Sequence, residues 1–230
     1  MKYINKNLLI EKIQVQNIAK KFGTPAYCYS YEQLKKNISN FKKNFNTFTP
    51  LICFAIKSNT NVGLIKEIRK FGLGADVVSK GELMMALKAG IDPKKIVFSG
   101  VGKTSNEISY AIDKKILLIN TESKSEVREI ERIAKLKKKS VNIGIRLNPN
   151  TDAKTLKQIS TGKKENKFGV DEKTFFDIIK YSNLSKNINL KCLSVHIGSQ
   201  ILDHKPYEKM LNVINKIIKK SNHKFEFIDL

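Results

Sequence analysis

Long apolar runs are missing from this chain of 230 residues, and nothing in it is long enough to cross a bilayer. The first residues offer only Leu8-Leu9-Ile10 before Glu11, too little for the apolar core of a signal peptide. We therefore expect no membrane partner and no secretory route. Cysteine is scarce: Cys28, Cys53 and Cys192 stand far apart, each in an apolar, strand-like run. That spacing excludes a disulfide framework and a metal cluster, and reads as buried thiols in a reducing cytoplasm. Arginine is nearly absent. Only Arg69, Arg128, Arg132 and Arg146 occur among 43 basic residues, although the net charge is +22. The lysines scatter over many helix faces, without arginine clusters or interleaved aromatics, so a nucleic-acid partner is not expected. Glycine fingerprints are missing as well. Gly100-Val101-Gly102-Lys103-Thr104 has the look of a Walker A ending, but Val97 stands where that loop needs a glycine. Lys103-Thr104 reads instead as a loop and a helix start.

What is present is organised around Leu51-Ile52-Cys53-Phe54-Ala55-Ile56-Lys57-Ser58-Asn59. Six apolar residues form a run of strand length, bounded by polar turn residues, as in a strand of a parallel sheet covered on both faces. Lys57 then falls at the strand's C-terminal end, where α/β barrels build their sites. Partly desolvated, its amine would serve as a nucleophile. The plainer alternative is a lysine whose head snorkels to water.

A helical spacing covers 11–22, an extended segment Ala26–Tyr29, and an amphipathic helix 31–46. From Leu51 strands and helices alternate. Strands are expected at 51–56, 74–78, 96–98, 116–119, 141–147, 190–196 and 225–230, with a polar loop over 148–166. Ser79/Glu82, Thr104/Glu107 and Ser123/Glu126 have capping-box spacing at three helix starts, and Gly90 stands at a helix end. The pattern means βαβ units and a parallel sheet. The reading is a (β/α)8 TIM-type barrel, incomplete, with seven of eight strands. It is one domain over 1–230, in which 1–50 is a lead-in and 51–230 carries the strands. Seven strands leave an apolar edge unpaired, so we expect the sequence to be the front part of a longer protein. An open doubly wound sheet is the alternative, but Lys57–Asn61 carries no glycine fingerprint at the first strand–helix turn.

Three further residues stand out. His196 ends a strand and is followed by Ile197-Gly198-Ser199-Gln200. Its imidazole would face the barrel mouth, the glycine permits close backbone approach, and Ser199 can donate to a phosphate. Arg146 ends an apolar strand and should meet an anion or a carboxylate. Asp76 lies inside an apolar strand and needs a cation or donors. Arg146 and Asp76 could be each other's structural partners.

Together these residues resemble one family. Phe54-Ala55-Ile56-Lys57-Ser58-Asn59 is similar to the lysine motif of fold-type III pyridoxal-phosphate decarboxylases. Gly72-Leu73-Gly74-Ala75-Asp76-Val77-Val78-Ser79-Lys80-Gly81-Glu82-Leu83 and His196–Gln200 resemble the diaminopimelate decarboxylase branch in particular. So do Phe22–Tyr27, Arg146–Pro149, Ser160-Thr161-Gly162 and Lys167-Phe168-Gly169. The resemblance implies that Lys57 holds pyridoxal 5'-phosphate covalently and that His196 stacks on its ring. It implies that Ser199 contacts the phosphate, and that Asp76 and Arg146 line the pocket. The implied activity is decarboxylation of meso-diaminopimelate to L-lysine, the last step of lysine biosynthesis, by a cytoplasmic homodimer with a site shared across its interface. The family's phosphate-binding glycine triplet, its acidic partner for the pyridine nitrogen and its C-terminal β-domain have no counterpart here, so these residues alone would lack activity. Leu156-Lys157-Gln158 also departs from a histidine-containing segment of the family. Two other readings remain open: an ornithine- or arginine-type decarboxylase of the same fold, and a non-catalytic single-domain pyridoxal-phosphate carrier.

Overall fold

A computed structural model describes residues 1–152 and 168–230. Ser160-Thr161-Gly162, Leu156-Lys157-Gln158, Lys167 and most of the expected polar loop lie outside the described residues. The chain divides into two units, Met1–Pro50 and Leu51–Leu230.

The first unit begins with strands not anticipated from the sequence. β1 (Lys2–Ile4) and β2 (Asn7–Ile10) form an antiparallel hairpin, and β2 pairs with β3 (Ile13–Gln14). The hairpin turn puts both Asn5 and Lys6 at positive φ, as a two-residue turn between twisted strands requires. α1 (Val15–Phe22) therefore starts four residues later than the periodicity suggested. The expected extended segment Ala26–Tyr29 forms no strand, and Cys28 is exposed, not buried. α2 (Tyr31–Lys43) starts at Ser30, whose hydroxyl accepts from the Gln33 amide at 3.1 Å and donates to Glu11 at 2.8 Å.

Among the described residues of the second unit, seven strands alternate with helices. They are β4 (Cys53–Ala55), β5 (Gly74–Val77), β6 (Ile96–Phe98), β7 (Leu118–Thr121), β8 (Val141–Arg146), β9 (Ile188–Ser194) and β10 (Phe227–Asp229). All pair in parallel, in strict sequence order from β4 to β10. A doubly wound sheet would reverse its strand order, so that alternative is excluded. The sheet also curls. Asn120 on β7 donates to Asp229 on β10 at 2.6 Å. Three strand spacings of a flat sheet would separate them by roughly 14 Å. This is the expected partial barrel with seven strands.

The helices α3 (Val62–Lys70), α4 (Lys80–Lys88), α5 (Ser105–Lys114), α6 (Lys124–Leu136), α7 (Glu172–Leu184) and α8 (Lys205–Ser221) cover the outside. Their inward stripes supply the core. α6 buries Val127, Ile130, Ile133 and Ala134 against outward-facing strand residues such as Ile143 and Ile145. Each full burial of a large aliphatic side chain contributes about 1.5–3 kcal/mol.

The three helix starts read from the sequence form, with one difference. At α5 the reciprocal box closes: Thr104 accepts from the Glu107 amide, and Glu107 accepts from the Thr104 amide. At α4 and α6 the serine caps as expected, but the glutamate reaches one residue further back. Glu82 accepts from the Val78 amide at 2.9 Å and Glu126 from the Glu122 amide at 2.8 Å. Both serines are fully extended, so the preceding amide, not their own, faces the helix start.

Lys103 lies just before α5, buried. Its ammonium donates to the Gly100 and Asn120 carbonyls and pairs with Glu126 at 2.7 Å. A lysine held this way is a brace between two strand ends and is turned away from any phosphate loop.

Candidate active site

Residues two apart along a strand share a face, and in a closed or curled sheet one face is the interior. The interior is therefore layered. At the bottom, Cys53, Val97, Leu118 and Cys192 form a small apolar cluster. Burial, followed by the nearby Asp229 and Asp76 carboxylates, pushes the Cys53 thiol up to about 12; burial and Asp229 also raise Cys192. These two thiols are inert packing groups.

The next layer is polar: Asp76, Ser99, Asn120, Ser194 and Asp229. Ser99 Oγ donates to Asp76 at 2.7 Å, and Asn120 Nδ2 approaches Ser99 Oγ at 3.3 Å. Asn120 Nδ2 also donates to Asp229 Oδ2, which accepts from Ser194 Oγ at 3.0 Å. Gly144 on β8 is part of the same layer. A Cβ there would stand 2.1 Å from Asn120 Oδ1 and 3.1 Å from the Cys192 Cβ. Only a glycine leaves room for the amide.

Above Asp76, the top layer holds Lys57, Arg146 and His196, also picked out from the sequence. β4 ends at Ala55 and Lys57 lies in the 3-10 turn Ile56–Ser58, one step beyond the expected strand. Lys57 is exposed, so the expected desolvation of its amine is absent. Arg146 is buried at the end of β8. Its partner is not Asp76, as considered above, but Glu122, at 2.9 Å. Glu122 also accepts from the Gly169 amide at 2.9 Å, and the guanidinium lies 4.9 Å from the centre of the Phe168 ring. Arg146 meets a carboxylate, as expected, but Asp76 lies three strands away on β5, whereas Glu122 follows the adjacent β7.

The charges of Lys57 and Asp76 interact, as do those of Lys57 and Arg146 with His196. Desolvation pushes Asp76 up to about 6, against the Ser99 hydrogen bond; Asp229 and Glu82 raise it further and Lys57 lowers it. Desolvation by the barrel mouth, then Arg146 and Lys57, push His196 down to about 4. The ring nevertheless keeps an exposed face, so it is a neutral, accessible imidazole at neutral pH. Ser199 follows on the loop after β9, exposed, next to Gly198 at φ 148°. The structure thus gathers Lys57, Asp76, Arg146 and His196 at the C-terminal mouth.

Sequence reasoning missed Ser99, Asn120, Glu122, Ser194 and Asp229. A signal existed: Ser99, Asn120 and Asp229 each end an apolar run, as Lys57 does. Assigning strand four to 116–119 instead of 118–121 hid Asn120.

The donor set fits pyridoxal phosphate: an exposed primary amine for a carbonyl carbon, a flat neutral imidazole, and a hydroxyl beside a glycine of positive φ. The fold and the site are those of a partial (β/α)8 barrel with a lysine at its mouth. The profile described as "Pyridoxal-dependent decarboxylase, pyridoxal binding domain" covers residues 31–229, and the chain belongs to that family. Among curated proteins it is similar to diaminopimelate decarboxylase of Aquifex aeolicus (strain VF5), at 40% identity over 224 residues, covering 96% of this chain and 53% of that protein. It is 44% identical over 198 residues to diaminopimelate decarboxylase of Helicobacter pylori (strain J99 / ATCC 700824), covering 86% and 49%. The crystal structure of diaminopimelate decarboxylase from Helicobacter pylori complexed with L-lysine superposes with a TM-score of 0.89 at 39% identity, over 93% of this chain and 55% of that one. The chain spans about half the length of the curated relatives it matches.

Proposed function

We propose that this chain carries the cofactor site of a meso-diaminopimelate decarboxylase, with Lys57 as the residue that binds pyridoxal phosphate. The observation that carries the reading is the convergence of an exposed lysine, a neutral histidine and a buried arginine–glutamate pair at one strand-end mouth. In this reading 1–230 forms one cofactor-binding domain, with 1–50 as its lead-in. The working enzyme is a cytoplasmic homodimer that yields L-lysine and carbon dioxide. Similarity to relatives of that name favours meso-diaminopimelate over ornithine or arginine as the substrate.

Bound pyridoxal phosphate supplies a sink for the electron pair released when a carboxylate leaves. The chain's own residues prepare the place. Above about pH 6 the Asp76 carboxylate offers Lys57 a counter-charge. His196 stays uncharged and can lie flat against an aromatic ring without adding a cation beside Lys57 and Arg146. Ser199 offers a hydroxyl to the phosphate. Arg146 is held by Glu122 and Phe168, which keeps its guanidinium at the rim instead of in solvent.

The test is borohydride reduction of the chain mixed with pyridoxal phosphate, followed by peptide mass spectrometry. We expect the label on the peptide containing Lys57 and its loss in Lys57→Ala. A label spread over the many surface lysines, unchanged in that variant, would overturn the assignment.

A further inference from the structure

The polar layer beneath the mouth has a direction. Asp229 Oδ2 can only accept when ionised, so the amide of Asn120 must turn an N–H toward it, at 2.6 Å. The opposite amide orientation would set two acceptors against each other. The same Nδ2 lies 3.3 Å from Ser99 Oγ, so the hydroxyl accepts there. A serine hydroxyl has one proton, and with its acceptor side occupied that proton is directed to Asp76, at 2.7 Å. The arrangement has a drawback that marks it as specific. Asn120 Oδ1 is buried without a hydrogen-bond partner among the described residues, facing the bare Cα of Gly144. An unsatisfied buried carbonyl is destabilising, and the opposite amide orientation would not remove that destabilisation without breaking the contact to Asp229.

We propose that Ser99, Asn120 and Asp229 are positioning residues: a hydrogen-bond relay from Asp229 through the Asn120 amide and the Ser99 hydroxyl that holds the Asp76 carboxylate as an acceptor toward Lys57. The relay's use rests on the reading of Lys57 as the cofactor lysine; its geometry does not. Asp76 is faced by Lys57 from the turn after β4, by Cys53 on β4, by Glu82 on α4 and by Asp229 on β10. Only Lys57 among these favours the ionised form, so the Ser99 donor is the other force keeping Asp76 a carboxylate at neutral pH.

The experiment is a double-mutant cycle on the titration of Asp76 in the full chain without cofactor. The readout is the carboxyl resonance of 13C-labelled aspartate, assigned with Asp76→Asn. Ser99→Ala removes a donor to a charged group and is expected to move the Asp76 midpoint up by about one pH unit from about 6. Ser99→Thr keeps the hydroxyl and restores the original midpoint. Asn120→Ala frees the hydroxyl rotor and raises the midpoint by roughly half a unit, but in the Ser99→Ala background it should change nothing. Asp229 is left intact, because neutralising it would also remove a repulsion that raises Asp76. An unmoved midpoint in Ser99→Ala, or an equal Asn120→Ala effect in both backgrounds, would refute the relay. Borohydride capture at a lysine other than Lys57 would sink the functional reading while leaving the cycle to decide the relay.

Discussion

Asp76 and His196 sit at the same mouth, and burial moves them in opposite directions. Asp76 is raised from an ordinary 3.8 to about 6. Its folded form keeps a proton that the unfolded chain releases, so its contribution to stability is complete below about pH 4 and lost as pH rises through about 6. Two units correspond to about 2–3 kcal/mol. His196 is lowered from 6.5 to about 4, so its contribution is present above about 6.5 and lost as pH falls through about 4. The exposed ring makes it the smaller of the two. Across pH 4–6.5 these slopes oppose each other. We expect the urea midpoint of Asp76→Asn to climb more steeply with pH over that window than that of the unaltered chain. The midpoint of His196→Gln should fall more steeply. Parallel curves for all three would mean that neither group is coupled to folding. At this scale the sequence singled out Lys57, His196 and Arg146, because a lysine, a histidine and a rare arginine at ends of apolar runs are visible as such. It did not reveal partners. Arg146 is paired by Glu122, 24 positions away, and that choice depends on which strand curls beside which.

Among the elements, the joints are more informative than the bodies. α5 and α6 start at serine and threonine caps, and the loop before α5 is pinned by Lys103 to Glu126 in the first turn of α6. The lysine head is 1% exposed and its partner 11%. Removing one charge from such a pair leaves the other buried without a counter-charge, which is destabilising by about 3–5 kcal/mol. Glu126→Gln should therefore lower the urea midpoint sharply. Lys103→Met combined with Glu126→Gln should recover much of the loss. If the double variant is worse than the single, the pair is not a mutual brace. The caps were legible, because serine or threonine three residues before glutamate needs no tertiary information. Which amide the glutamate would reach was not, because that depends on the extended backbone entering from the strand.

For the whole molecule, the two units differ in how much they bury. No residue of 1–50 is buried, whereas β5 to β9 are covered on the outer face by helices and filled inside by the layered residues. Amide exchange is gated by local opening, and opening is easiest where few apolar groups are removed from water. We expect the slowest-exchanging amides in 141–146 and 188–194, and exchange several orders of magnitude faster throughout 1–50. Uniform protection would show that the two units open together. The alternation of apolar runs and amphipathic segments was enough to determine seven parallel strands with helices between them, and it put Lys57 and His196 at strand ends. That information is local: period, caps and turn residues act over a few positions. The barrel reading already implied sequential strands and a curled sheet; only the tertiary structure decided which side chains that curling brings together. Curling brings Asn120 against Asp229, 109 residues apart, and requires a bare glycine at 144 to make room. Contacts across a barrel interior join residues with no shared period or neighbourhood in the chain. They follow from closure, a property of the whole sheet, and no single segment encodes it.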